Sequence, residues 1–555
     1  MTAYTLENAT VVDGSGAAAY RGNVCVEDDR ILSVHGHERR GRVLDATGLV
    51  VAPGFIDIHS HLDWIAPLPD ANVLLSASLL QGITTSITGN CGISPAPLGS
   101  KSRRGAIERM LLVGLVTGDI DWDWESLDDY LRVLDERGLP LNLAVFVGAS
   151  TLRATVLGGE TRAATSEELA EMKALLEQGL ADGAVGLSVG LEYFPGRYAP
   201  PSEVAELARV AAAHDALVAV HTRGISELYD PAMDEALALA AGTRCRLQIS
   251  HVNPMGRANW DGLDRLFERV DAARTADTDV AFDMIGYVSW TLTAFEALPH
   301  TLQDLGLDAV LALARDVNGG RRHLHELLDA ARPTWPPWIE GRVTRNIPLE
   351  MGWDALVVAD QIEGLTDRAG DTIAEIAARR NQDPEGLYFD LIAATGGSAR
   401  IVNVGYGGDL ENDEPLRRLI ARPDAIPETD TVPVAGPGGI SLPLPLFHGT
   451  MARFLGHFSR ELELITLEEA VRRITSLPAR RTQLADRGVL REQAAADLVV
   501  FDPATIGDQG TLLEPRPPSG IVHVFVNGVP VVEDGVYDPS ANAGRALRVR
   551  RAVAR

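Results

Sequence analysis

The stretch GFIDIHSHLDW, Gly54 to Trp64, places His59 and His61 one residue apart at the end of an apolar run. Together with the preceding VVAP it reads as a buried β-strand. A strand repeats every two residues, so both imidazoles point to the same side of it. A pair of borderline donors at a strand end is half of a metal site, and the remaining half has to come from elsewhere in the chain.

Outward from this strand, residues 53 to 481 show short apolar runs alternating with amphipathic helices. Eight strand candidates occur in order: VVAPGFIDIHSH, ITTSITGN, LNLAVFVGA, GAVGLSVGL, ALVAVHT, CRLQISHV, VAFDMIG and TVPVAGP. TSEELAEMKALLEQGLADG predicts one of the helices between them, with Thr165 and Glu168 as a capping box and Gly183 past its end. Thr466 and Glu469 repeat the device. Eight strands with intervening helices predict an α/β fold, a (β/α)8 TIM barrel, whose functional residues sit at the C-terminal strand ends. At those ends stand His59 and His61, Cys91, His221 and His251. Imidazole and thiolate together select Zn²⁺ over Mg²⁺ or Ca²⁺, which prefer oxygen. His35, His37, His323 and His325 also form His-x-His pairs. One pair falls in a loop and the other on a helix, and both read as surface histidines.

The first ~50 residues and the far end share a different texture of short alternating strands. Asn527-Gly528 between apolar runs is a type I′ hairpin signal. A small β-sandwich domain is expected from residues 1–52 plus 482–545, with the barrel inserted over 53–481. The RPTWPPW run lies in a gap too long for a barrel loop and predicts an inserted subdomain at about 288–350.

With 50 Lys plus Arg against 77 Asp plus Glu, the net charge of −27 argues against nucleic acid or an anionic membrane as partner. A small-molecule substrate is the expected partner, and a homo-oligomer is compatible with the reading. No signal peptide or run of ~18 apolar residues occurs, which predicts a cytoplasmic protein. Three cysteines, Cys25, Cys91 and Cys245, do not make a disulfide framework.

PGFIDIHSHLD, GITTSITGNCGISPAPL, GAVGLSVGLEYFPG, HTR, ISHVNPMG and the C-terminal run from ITSLPARR to VHVFVNGVPVVEDG resemble the N-acyl-D-amino-acid deacylases of the amidohydrolase superfamily. The resemblance covers most of the chain. It implies a barrel with a flanking β-sandwich and a substrate-covering insertion. It also implies zinc held most tightly by Cys91, His221 and His251, with His59 and His61 serving a second, weaker position that shares Cys91.

Three departures from the family stand out. The family ends strand eight in Ser-Asp-Gly, whose Asp is the general base. VPVAGPGGIS offers Gly436 or Pro437 there and no acid between Thr431 and His448. Neither residue titrates. An insertion between Ile426 and Phe447 would bring Asp430 into that place. A lysine that grips the substrate carboxylate is replaced by Asn253, and the arginine beside His448 is missing, with Arg453 as the substitute in the same loop. On this reading the base is Asp63, Glu192, His448 or a group of the substrate itself. Tyr193, Arg223, Asn253, Asp283, Tyr287 and Arg453 are the expected substrate-binding residues.

The function expected is zinc-dependent hydrolysis of a C–N bond, amide, N-acyl or lactam-like, in a small molecule other than a standard D-aminoacylase substrate. The alternative is a non-hydrolytic lyase, cyclase or isomerase with zinc as electrophile. A catalytically dead paralogue ranks below both.

Overall fold

Eight parallel strands close a barrel in the computed structural model, which describes residues 3–36, 38–99, 122, 124–339, 342–436 and 439–551. His37 and Pro437 lie outside the described residues. The strands are β1 Phe55–Asp57, β2 Ile83–Thr88, β3 Asn142–Val145 continued by Val147–Gly148, β4 Gly186–Gly190, β5 Leu217–His221, β6 Arg246–Ile249, β7 Val280–Ile285 and β8 Ala425–Glu428. Each pairs in parallel with the next. The ring closes where Ser60 bridges Thr431 in parallel, with His61 N donating to Thr431 O at 2.8 Å and Asp430 N to His59 O at 3.0 Å. Seven of the eight expected strands are found. The last is not TVPVAGP but Ala425–Glu428, and Val434–Gly436 instead forms a two-stranded antiparallel hairpin with Gly439–Ser441.

The helices between strands form for local reasons that the chain states plainly. Ser166–Asp182 begins at Thr165, whose hydroxyl accepts from Glu168 N while the Glu168 carboxylate accepts from Thr165 N, and it ends at left-handed Gly183. Its Met172, Leu176 and Leu180 are buried against the barrel. Thr466 likewise accepts from Glu469 N to start the helix Leu467–Arg473.

Both chain ends build one sheet. Leu498–Phe501 pairs antiparallel with Val50–Pro53, which runs beside Ala3–Val11, so the C-terminal strands and the N-terminal strands join edge to edge at this one pair in a single hydrogen-bonded array. Ile521–Val526 turns back into Val529–Glu533 through Asn527 and Gly528, both with positive φ, as a type I′ turn requires. This sheet leads directly into β1 across Gly54, where a Cβ would stand 2.1 Å from Thr84 Oγ1. Only glycine lets the two layers approach so closely.

The insertion expected over residues 288–350 extends further. Ser289–Thr293, Arg400–Val404 and Leu356–Val358 form a three-stranded antiparallel sheet. Helices packed on it give a hydrophobic core of its own, including Leu298, Leu324, Ile376, Tyr388 and Ile392, separate from the barrel core. This unit stands over the C-terminal ends of the barrel strands, where Tyr406 and Arg345 face the same cavity as His221 and His251.

Candidate active site and metal centre

Six donors meet at the barrel mouth. Cys91 Sγ lies 3.3 Å from His59 Nε2 and 3.6 Å from both His221 Nδ1 and His251 Nε2. Asp430 Oδ1 lies 3.4 Å from His59 Nε2 and 3.4 Å from His61 Nε2. The two groups, His59–His61–Cys91–Asp430 and Cys91–His221–His251, share the thiol. All are buried.

A zinc ion fits this donor set. A tetrahedral site with Zn–S about 2.3 Å and Zn–N about 2.0–2.1 Å has S···N edges of about 3.6 Å, the separation found from Cys91 to His221 and His251. The His221 Nδ1 to His251 Nε2 distance of 2.7 Å is shorter than a tetrahedral edge, so ligation would spread these two rings slightly. Burial, then the carboxylates Asp430, Glu428, Asp283 and Glu192, push the Cys91 thiol well up. A cation is what would bring it to thiolate, the form that ligates.

The ligands are held from behind. His221 Nε2 donates to Glu192 Oε2 at 2.9 Å, which fixes the tautomer and leaves Nδ1 free to ligate. Asp283 accepts from the His251 backbone N–H at 2.6 Å and from Gln248 Nε2 at 2.9 Å, and stands 3.4 Å from His59 Nδ1. Gly190, at the end of β4, lies so near the Cys91 peptide that a Cβ there would meet Cys91 O at 1.9 Å. That contact explains why glycine ends the strand opposite the thiol.

Charge at the mouth is divided among the acids. Burial raises Asp430, but His59, His61 and His251 outweigh it and hold its carboxyl well below the usual range. Burial followed by Asp430, Asp283 and Asp57 pushes Glu428 well up. Burial raises Asp57 to about 7, against the hydrogen bonds from Thr429, which pull it down.

The cavity above the donors holds about 450 Å³. His61, Cys91, His221, His251, Asp430 and Tyr193 form its floor, and Trp290, Leu292, Phe295, Leu444 and Phe447 an apolar wall. The Tyr193 ring lies 4.5 Å from that of His221.

Most of the other expected site residues lie elsewhere. Asp63 is buried off the cavity, its carbonyl accepting from Tyr130 Oη at 2.7 Å, and burial pushes its carboxyl well up. His448 donates from Nε2 to Leu442 O at 2.9 Å. Glu192 orients His221 rather than facing a substrate. Arg223 is committed to Glu235, to the carbonyls of Arg197 and Ala199, and to the face of Trp338 at 4.6 Å. Asn253 bonds the Ile285 backbone through both its amide ends. Tyr287 Oη donates to Asp508, and Arg453 reaches Gly286 O and Asp508, so the arginine does not replace a missing cation in the cavity. Asp283 stands behind the ligands. His35, stacked on Tyr20, and His323 and His325 are exposed. Cys25 and Cys245 are buried and unpaired.

Asp430, which the sequence offered only through an insertion between Ile426 and Phe447, stands just past the end of β8 beside His59 and His61. One residue on the cavity was not singled out at all. Arg345, on the insertion, reaches the cavity with no motif of its own.

Residues 42–532 match the model of the amidohydrolase family. The chain is 31% identical over 555 residues to D-aminoacylase of Alcaligenes xylosoxydans xylosoxydans, covering 98% of this chain and 96% of that protein. It is 32% identical over 558 residues to N-acyl-D-glutamate deacylase of the same organism, covering 99% and 97%. Among solved structures, N-acyl-D-glutamate deacylase from Bordetella bronchiseptica, complexed with zinc and a phosphonate mimic of the tetrahedral intermediate, superposes with a TM-score of 0.76 at 29% identity, covering 98% of this chain and 99% of that one. The protein belongs to the amidohydrolase family and is a hydrolase of that superfamily. Among the described residues no helix is long and apolar enough to cross a membrane.

Proposed function

We propose that this protein is a zinc-dependent deacylase that hydrolyses the amide bond of an N-acyl amino acid, of the D series that its relatives are named for. The observation that carries the reading is Asp430, a carboxylate at the end of β8, 3.4 Å from His59 and from His61 in the cluster that contains Cys91. Zinc bound among Cys91, His221 and His251 would polarise the acyl carbonyl and lower the pKa of water toward about 7. Asp430 is ionised in its ring of histidines and is placed to take a proton from the attacking water. It then returns that proton to the amide nitrogen as the C–N bond breaks. Glu192 and Asp283 keep His221 and His251 in the ligating orientation. The Trp290–Phe295 wall on the insertion gives the cavity above the floor an apolar side.

A non-hydrolytic lyase or isomerase was motivated by the loss of the strand-eight acid, and with Asp430 in place that motive is gone. The test is incubation of the zinc-loaded protein with N-acetyl-D-leucine and N-acetyl-D-glutamate in H₂¹⁸O. Free amino acid with ¹⁸O in the released acetate supports the reading. A zinc-loaded protein that releases no amino acid from either overturns it.

A further inference from the structure

The floor of the cavity is acidic. Glu192, Asp283, Glu428 and Asp430 all lie at or just behind the ligands, so an anionic substrate needs a cation close to them. The cationic side chains that line the cavity among the described residues are Arg345 and Arg400. Arg400 sits with Ser398 and Gly396 on the insertion and is tied through its backbone N–H and Nε to Asp360, each at 2.8 Å. Arg345 is different. It is buried, it faces the floor, and among the described residues its hydrogen bond is a single long one, NH1 to Glu192 Oε2 at 3.3 Å. Its Nε is buried with no partner. Its guanidinium carbon lies 5.9 Å from the centre of the Tyr193 ring, which itself packs on His221.

A desolvated guanidinium with most of its fork unbonded is a strong receiver for a carboxylate, because two parallel charge-assisted hydrogen bonds form at once. Its place beside Glu192 and Tyr193 puts it within one side chain of the metal-binding imidazole. The α-carboxylate of an N-acyl amino acid is two bonds from the scissile nitrogen, so a group that reads it has to stand that near. Asn253 and Arg453, the other positions expected to read a carboxylate, are bonded to backbone and to Asp508.

We infer that Arg345, carried on the insertion, is the residue that binds the α-carboxylate of the substrate, while the apolar wall takes its side chain. This rests on the deacylase reading for its substrate class. It gives the insertion a role in selecting substrate.

The test compares N-acetyl-D-leucine with N-acetyl-D-leucinamide, which lacks the charge, on zinc-loaded wild type and on Arg345→Met, with zinc content and the unfolding midpoint measured for each. The expected result is a rise in KM of about 100-fold for the acid in the variant, with kcat for the acid and kcat/KM for the amide each within about threefold of wild type. Should Glu192, left without its cation, prevent Arg345→Met from folding, Arg345→Lys keeps the charge but not the fork and is expected to raise KM for the acid about tenfold. A variant that still prefers the acid as strongly as wild type overturns the assignment. Equal loss of kcat on both compounds also overturns it, since that is the mark of an arginine that only positions Glu192 and His221. Either result would leave the deacylase reading standing as long as wild type cleaves the acid, and a wild type that cleaves neither compound would count against that reading itself.

Discussion

Cys91, His251 and Asp430 adopt φ of 51°, 33° and 42°, a left-handed backbone that costs any residue with a Cβ. Three donors to one cluster share this strain, which the surrounding barrel enforces, and it aims each side chain inward from the point where its strand turns into a loop. Asp430→Asn keeps the shape and removes the base. It should lower kcat by about 10³-fold, within the range for loss of a general base, with zinc content little changed as measured by atomic absorption. Cys91→Ala removes the donor shared by both groups, and zinc bound per chain after dialysis should fall to a small fraction of wild type. Histidine and cysteine were legible because few are present and those at strand ends are conspicuous. Asp430 was hard to pick out because it is one of 77 acids, and Arg345 because an isolated arginine carries no spacing.

At the scale of elements, capping and turn chemistry were readable because they depend on neighbours within three or four residues. Thr165 and Glu168 form the predicted box. Hydrogen bonds from Arg162 and then from Thr165 hold the exposed Glu168 carboxyl at about 2, below its ordinary 4.5. A carboxyl depressed in the folded state stabilises above its unfolded pKa and loses that contribution as pH falls toward the folded one. The gap in unfolding midpoint between wild type and Glu168→Gln should therefore be full above pH 4.5 and close as pH falls toward about 2, which thermal melts at stepped pH would show. Strand eight was misread for a physical reason. Ala425–Glu428 is four residues with Pro427 inside, a weak strand pattern, whereas VPVAGP a few residues later is richer in β-formers. What makes Ala425–Glu428 the strand is its partner, β7, which it meets from Phe282↔Ala425 to Ile285↔Glu428.

For the whole molecule, closure of the ring is what completes the site. Thr429 bonds Asp57 across 372 residues of sequence through its N–H at 3.2 Å and its hydroxyl at 2.6 Å, and this seam brings Asp430 to His59 and His61. The same closure buries Asp57, Asp283, Glu428 and Asp430 together. Removal of the metal with 1,10-phenanthroline should abolish activity and lower the calorimetric unfolding midpoint, because the clustered carboxylates lose their counter-cation and bound metal stabilises the folded state by mass action. Added zinc should restore both. The sequence by itself determined the barrel, the five soft donors and the family resemblance, since periodicity, residue type and short motifs are local properties that survive without a fold. Only the tertiary structure decided which acid completes the site and which cation overlooks it, because Asp430 and Arg345 reach the cavity through a strand pairing and an inserted layer whose contacts span hundreds of residues and leave no local pattern.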